Sequence, residues 1–134
     1  MSLVIVPGDA DGLVRTRVET MDQTRKQATL AFRGVRVPAA SILGERGSGW
    51  EALQETLSRA VVALAFEQVG GAQRCLEMAV DYAKVRVQFG RPIGSFQAIK
   101  HKCADMLVQV ESAKSAAYYA GWAAAEDPDE LAIV

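Results

Sequence analysis

The sequence predicts an α+β chain in which a strand-rich N-terminal segment leads into a long antiparallel helical hairpin. Three observations predict it. Residues 1–47 show two-residue alternation punctuated by turn residues. Residues 50–84 and 95–126 carry apolar side chains at three- and four-residue steps. Neither helical stretch contains a proline. Composition agrees: 134 residues, half of them apolar and 23% charged, with a formal net charge of −1. Such values exclude disordered, collagen-like and coiled-coil chains, and near-neutral charge argues against a general nucleic-acid surface. No run of eighteen uncharged apolar residues occurs, and the opening MSLVIVPGDADG lacks the basic start and long apolar core of a signal peptide. The reading is a soluble, cytoplasmic protein without a membrane partner.

In chain order, Leu3-Val-Ile-Val-Pro7 reads as a first strand, followed by turns at Pro7-Gly8-Asp9 and Asp11-Gly12. Leu13-Val-Arg-Thr-Arg-Val-Glu19 and Gln27-Ala-Thr-Leu-Ala-Phe32 alternate and flank a turn at Asp22-Gln23. Arg33-Gly-Val-Arg-Val-Pro38 reads as a last strand ended by proline, before a loop containing Gly44, Gly47 and Gly49. So few short strands cannot cover both faces of a sheet, so this half belongs with a larger β-domain. Ser48 then serves as an N-cap for the first helix.

The first helix carries Trp50, Leu53, Leu57 and Leu64; the second carries Ile99, Cys103, Met106 and Val110. Each would run roughly 50 Å, and the short link Gln88–Gly94 folds them back as an antiparallel pair. Ala60–Phe66 is apolar all round its helix, and Ala116–Ala125 presents small residues on several faces. One partner helix cannot cover that surface, so the pair is read as half of a larger bundle. At the end, Asp127 as N-cap, Pro128 at the first helical position, Asp129 and Glu130 in the first turn and Leu131-Ala-Ile-Val134 read as a fresh helix start. Together with the abrupt opening strand, this marks the chain as a fragment.

The link between the helices concentrates the candidate chemistry. Lys84, Arg86, Arg91, Lys100 and Lys102 supply cations, Gln88 and Gln97 amide donors, Phe89 and Phe96 flat apolar surface. A nucleotide diphosphate is bound by such a set: guanidinium for phosphate, amides for directional bonds, aromatic faces for a ring system. Lys84 and Arg86 also answer the negative end of the first helix. Lys100, His101 and Lys102 lie near the start of the second, where positive charge is disfavoured, which points to an anion or acidic partner nearby. A solvated basic turn is the competing account.

The remaining features carry less. His101, the one histidine, sits between two lysines with nothing adjacent to orient its ring and reads as a surface residue. Gly44-Glu-Arg-Gly47-Ser-Gly49 lacks both the spacing and the lysine of a phosphate loop and reads as a flexible connection. Cys75 and Cys103 lack CxxC spacing and read as buried free thiols, with no metal site, although His101 and Asp105 flank Cys103. Glu67, beside Gln68 in an apolar stretch, is the one candidate base: desolvation there would raise its pKa, whereas a face meeting water would leave it ordinary.

The stretch Tyr82-Ala-Lys-Val-Arg86-Val-Gln88-Phe89-Gly90-Arg91-Pro92-Ile93-Gly94-Ser95-Phe96-Gln97-Ala98-Ile99, followed by Ala104-Asp105-Met106, resembles the helix-turn-helix signature of acyl-CoA dehydrogenases. Gln68-Val-Gly-Gly-Ala-Gln73, Phe32-Arg-Gly-Val-Arg-Val-Pro38 and Ile42-Leu-Gly44 match in the same order, so the resemblance covers nearly the whole chain. It implies that residues 1–47 end a β-barrel-like middle domain and that residues 48–134 begin the C-terminal four-helix-bundle domain. It implies FAD as cofactor, held across a subunit interface. Arg86 and Gln88 would contact its diphosphate, Phe89 would lie near the adenosine, and Phe96, Gln97 and Ile99 would line the same pocket.

The implied reaction, a step of lipid metabolism and fatty acid degradation, is α,β-dehydrogenation of an acyl-CoA thioester. A carboxylate takes the α-proton, the β-hydrogen leaves as hydride to flavin, and electrons pass on to an electron-transfer flavoprotein. The implied assembly is a dimer or tetramer with self or sister subunits. The chain departs from the family at the base. Most members carry the glutamate in a later segment. Others carry it on the first helix, at a position aligned with Ala60 and often followed by arginine where Val61 stands here. Glu67 lies about 10 Å further along the axis, so no catalytic residue is assigned within this chain. Acyl-CoA oxidases share the resemblance. A non-catalytic partner subunit of a hetero-oligomer and a cofactor-free helical interaction module are the alternatives.

Overall fold

The structure is a computed structural model describing residues 1–127 and residue 130. It divides into two units, Met1–Gln54 and Glu55–Val134, with one long helix running from the first into the second.

The first unit is built of antiparallel two-stranded ribbons. Strand β1 (Leu3–Val4) pairs with β4 (Ile42–Leu43), matching Leu3 to Leu43 and Val4 to Ile42. Strands β2 (Leu13–Val18) and β3 (Gln27–Phe32) form a hairpin in register from Leu13–Phe32 to Val18–Gln27. Its turn is fixed by Asp22: Oδ1 accepts the Thr24 N–H at 2.9 Å and the Thr24 hydroxyl at 2.6 Å. These bonds, the hydroxyl's foremost, hold the Asp22 carboxyl below its ordinary range. Val14, Leu30 and Phe32 stay exposed, as expected of ribbons too narrow to cover two faces.

Two strand expectations change. The opening ladder stops at Val4 rather than Pro7, although the Ile5 N–H still donates to the Ser41 carbonyl. Arg33–Pro38 is not a strand. The Arg33 N–H donates to the Gly12 carbonyl at 2.9 Å, and Gly34 then turns the chain at φ +68°, so the extended run is broken at its second residue. A 3₁₀ turn over Ala39–Ser41 leads into β4.

Helix α1 (Gly49–Val85) and helix α2 (Gln97–Glu126) match the expected bounds to within one or two residues. At 1.5 Å per residue they extend about 55 and 45 Å. Ser48 immediately precedes α1, and its hydroxyl donates to the Glu45 carbonyl at 2.7 Å. Exposed pairs at helical spacing, Arg59–Glu55, Arg74–Glu77, Lys84–Asp81 and Lys114–Glu111, line the outer faces and add little each. Glu77, which accepts from both Gln73 and Arg74, is lowered in pKa by them.

The helices meet antiparallel. Gly94 sits beneath Ala83, and further away Phe66 packs edge-on against Tyr118 at 5.4 Å and fills the space over Gly121. Leu76, Ala83, Val110, Ala117 and Ala123 are buried, whereas Leu57, Val61, Met78, Val108 and Trp122 are half or more exposed. The expectation that one partner helix is too little cover therefore holds. Both cysteines are free, but the expected burial fails: Cys75 is exposed and Cys103 half-buried. Cys75 precedes buried Leu76 and so lies about 100° around α1 from the side facing α2.

The Asp127 carboxylate accepts the Glu130 N–H at 3.3 Å, the contact expected of an N-cap. The rest of that helix start, at residues 128, 129 and 131–134, lies outside the described residues. The Tyr119 hydroxyl donates to Glu130 at 2.6 Å, which raises the tyrosine pKa.

Candidate functional site

Between the helices stands a feature that hydrophobic periodicity does not announce. The Arg86 N–H donates to the Tyr82 carbonyl, finishing the last turn of α1, while the Arg86 carbonyl accepts the Ile93 N–H at 2.7 Å. That second bond closes a small hairpin of β5 (Val87–Gln88) and β6 (Arg91–Pro92), pairing Val87 with Pro92 and Gln88 with Arg91. Its two-residue loop is Phe89 at φ +55° and Gly90 at φ +76°, the pair of positive angles that a type I′ turn requires. Glycine takes the second angle freely. Phenylalanine takes the first at a cost of about 1 kcal/mol, and Phe89 is the one non-glycine residue with positive φ in the described chain.

The strain presents a ring to solvent. Phe89 is 91% exposed, and its ring meets Phe96 at 6.1 Å with the planes at 85°. Phe96 is the N-cap residue of α2, with extended backbone, and receives the Arg91 guanidinium over its face at 4.2 Å. A 3₁₀ turn over Ile93–Ser95, with the Ser95 hydroxyl donating to the Pro92 carbonyl, carries the chain between them. No side chain caps α2 and no acidic residue stands in its first turn, so its positive end is open to an anion.

Of the sequence-predicted site residues, Arg86, Gln88, Phe89 and Phe96 gather on and beside this hairpin. Gln97 is the exposed first residue of α2, and Ile99, two residues on in the same first turn, is half-buried. Among the described residues none of Arg86, Arg91, Lys100, His101 and Lys102 has an ion pair, so the basic set is not spent on neighbouring carboxylates. Sequence reading missed the hairpin itself and the Arg91–Phe96 stack. The available signal was Phe-Gly framed by two residues on either side.

Glu67 is exposed on α1 and does not line the groove between the helices, which has a volume of about 670 Å³. Leu57, Val61, Val62, Ala65 and Val69 from α1 and Val110, Ala113 and Ala117 from α2 form most of that groove, with Ser58 and Gln68 its polar members. No carboxylate faces it. Among the described residues no three His, Cys, Asp or Glu side chains cluster to hold a metal ion, and no helix is long and apolar enough to cross a membrane.

The long helical pair and its cation- and aromatic-bearing hairpin recur in solved structures of known proteins. Butyryl-CoA dehydrogenase from Megasphaera elsdenii matches with a TM-score of 0.85 at 35% identity, over 91% of this chain and 32% of that one. PigA with FAD and proline matches with a TM-score of 0.86 at 28% identity, over 91% and 32%. The family model for the acyl-CoA dehydrogenase C-terminal domain matches residues 47–133. The probable acyl-CoA dehydrogenase YngJ of Bacillus subtilis is 39% identical over 124 residues, 91% of this chain and 33% of that protein. The chain belongs to the acyl-CoA dehydrogenase family, whose members are FAD-dependent. It spans about a third of the length of these relatives.

Proposed function

We propose that this chain forms part of the cofactor site and subunit interface of an FAD-dependent acyl-CoA dehydrogenase. In this reading residues 1–47 end the middle β-domain and residues 48–134 begin the C-terminal four-helix bundle, whose remaining helices fill the apolar groove between α1 and α2. The observation that carries the reading is the strained, outward Phe89 beside a guanidinium and two carboxamides free to donate.

The residues fit the group. Arg86 offers a planar fork suited to two phosphate oxygens. Gln88 and Gln97 offer carboxamide N–H donors, and Phe89 and Phe96 offer apolar faces against which an adenine or ribose packs. Ile99 closes the apolar side of the same pocket. Bound FAD supplies the hydride acceptor for α,β-dehydrogenation of an acyl-CoA thioester, with electrons passing on to an electron-transfer flavoprotein. What this chain does is bind and orient: the hairpin pins the diphosphate end, and the apolar α1–α2 surface excludes water.

Proton abstraction falls to a group outside these residues. The positions where some family members carry the glutamate and a neighbouring arginine on the first helix are Ala60 and Val61, and neither side chain can accept a proton. That observation also favours a second reading, a non-catalytic subunit that completes a sister chain's cofactor site in a hetero-oligomer. Assembly with self or sister subunits and a cytoplasmic location belong to both readings.

The test uses the protein expressed from its own gene. It is expected to be yellow, and a suitable acyl-CoA is expected to bleach the flavin band anaerobically. Arg86→Ala is expected to weaken FAD retention about tenfold or more while leaving the melting temperature nearly unchanged, since an exposed charge contributes little to folding. A colourless protein that FAD cannot reconstitute, or unchanged FAD affinity in the variant, refutes the assignment. Activity appearing only with a co-purified sister chain selects the second reading.

A further inference from the structure

The ring at the hairpin tip has a support one residue beyond the turn. Phe89 is 91% exposed and touches one other ring, Phe96. Phe96 in turn lies under the Arg91 guanidinium, whose central carbon stands 4.2 Å from the ring centroid. Arg91 is also the cross-strand partner of Gln88. The guanidinium over the Phe96 face, and the Phe89 ring edge-on to Phe96, thus form one connected cluster running from β6 through the start of α2 to the turn. Face-on stacking of a cation on an aromatic ring is attractive even at an exposed site. Arg91 makes no ion pair among the described residues, so no carboxylate competes for it.

Phe89 occupies a backbone conformation that bulky residues avoid, and such a conformation persists where its surroundings over-determine it. We propose that Arg91 is a positioning residue: by stacking on Phe96 it holds the Phe96–Phe89 pair in place, and so sets how tightly the hairpin grips a nucleotide-diphosphate cofactor. Arg91 acts through the rings rather than as a phosphate ligand. The inference rests on the FAD reading above.

The experiment compares Arg91→Ala and Arg91→Met in the protein expressed from its own gene. Two quantities are read: the Phe89 and Phe96 ring resonances by NMR without cofactor, and the FAD dissociation constant by flavin fluorescence. Far-UV circular dichroism verifies that the helices persist. Arg91→Ala is expected to shift both ring systems and to weaken FAD binding about fivefold, the scale of one exposed cation–π contact. Arg91→Met keeps a polarisable group on the ring without the charge, and is expected to restore the ring resonances and return affinity to within about twofold of wild type. Equal affinity losses in both variants while the ring resonances of Arg91→Met stay at their wild-type positions overturn the proposal, because the charge then acts on the cofactor and not through the rings. Unmoved rings or unchanged affinity in Arg91→Ala also overturn it. Wild-type protein that binds no FAD sinks the cofactor reading instead, a result separate from any ring shift.

Discussion

Gly94→Ala tests the seat on which the hairpin rests. A Cβ at position 94 would stand 2.9 Å from the Ala83 carbonyl oxygen, 3.2 Å from its carbon and 3.4 Å from its Cβ. The two nearest atoms are backbone, in a residue that is 6% exposed near the end of α1, so no side chain can rotate away. Relief requires Ile93–Ser95 to lift from α1. The first bond at risk is the 2.7 Å one from the Ile93 N–H to the Arg86 carbonyl, which closes the hairpin. Overpacking costs about 1–3 kcal/mol and a net backbone bond about 1 kcal/mol. With partial relaxation we expect a loss of about 2 kcal/mol, seen as a melting point roughly 5–10 °C lower by far-UV circular dichroism. Gly90→Ala is the control: nothing lies within 4 Å of its Cβ, so its cost is the positive φ alone, about 1 kcal/mol. If Gly94→Ala melts with wild type while Gly90→Ala does not, the close approach to Ala83 is refuted.

Two further predictions follow from the packing and from the first unit. Gly121→Ala would bring a Cβ to 2.9 Å from the Phe66 ring edge; because a half-exposed ring can turn, a loss of about 1 kcal/mol in urea unfolding is expected, and an unchanged midpoint would show the ring bears no weight there. Asp22 has a lowered carboxyl pKa, so its contribution is present above the unfolded value and is lost as pH falls through the lower folded value. The protection of the Thr24 amide, its exchange rate relative to the intrinsic rate at the same pH, should therefore fall in acid below the ordinary carboxylate range, and Asp22→Asn should abolish that dependence.

What was legible in the sequence follows from how much of each element's structure is local. The β2–β3 ribbon is readable because alternation over six residues and the Asp22 turn both lie within the element. The helices are readable because thirty or more residues repeat one period. Arg33–Pro38 misled because Val35 and Val37 keep an alternating pattern, while the strand is broken by the local turn at Gly34 and by the bond of Arg33 to Gly12, twenty-one positions away. The β5–β6 hairpin was invisible for a different reason: two-residue strands have no period, and Phe-Gly is not the usual pair for its turn. The cysteines were misplaced because burial depends on which side of a helix meets a neighbour. For the candidate site, residue types singled out Arg86, Gln88, Phe89 and Phe96 as candidates, but not the angle that turns Phe89 outward.

The start of α1 has a consequence for how the first unit tolerates change. The Gly49 N–H donates to the Met1 carbonyl, the Gly47 N–H to the Ser2 hydroxyl, and a Cβ at Gly49 would stand 2.7 Å from the Leu3 nitrogen. Residues 3–48 are therefore a loop stapled at its neck, next to the first turn of the helix. Lengthening a stapled loop is inexpensive, since each doubling of a flexible loop costs only about 0.6 kcal/mol. Insertions at the Glu19–Lys26 tip should leave the helix origin where it is, whereas a single methyl group at the neck would dislodge it. Length variation among related chains should accordingly collect at the tip and stay away from the staple.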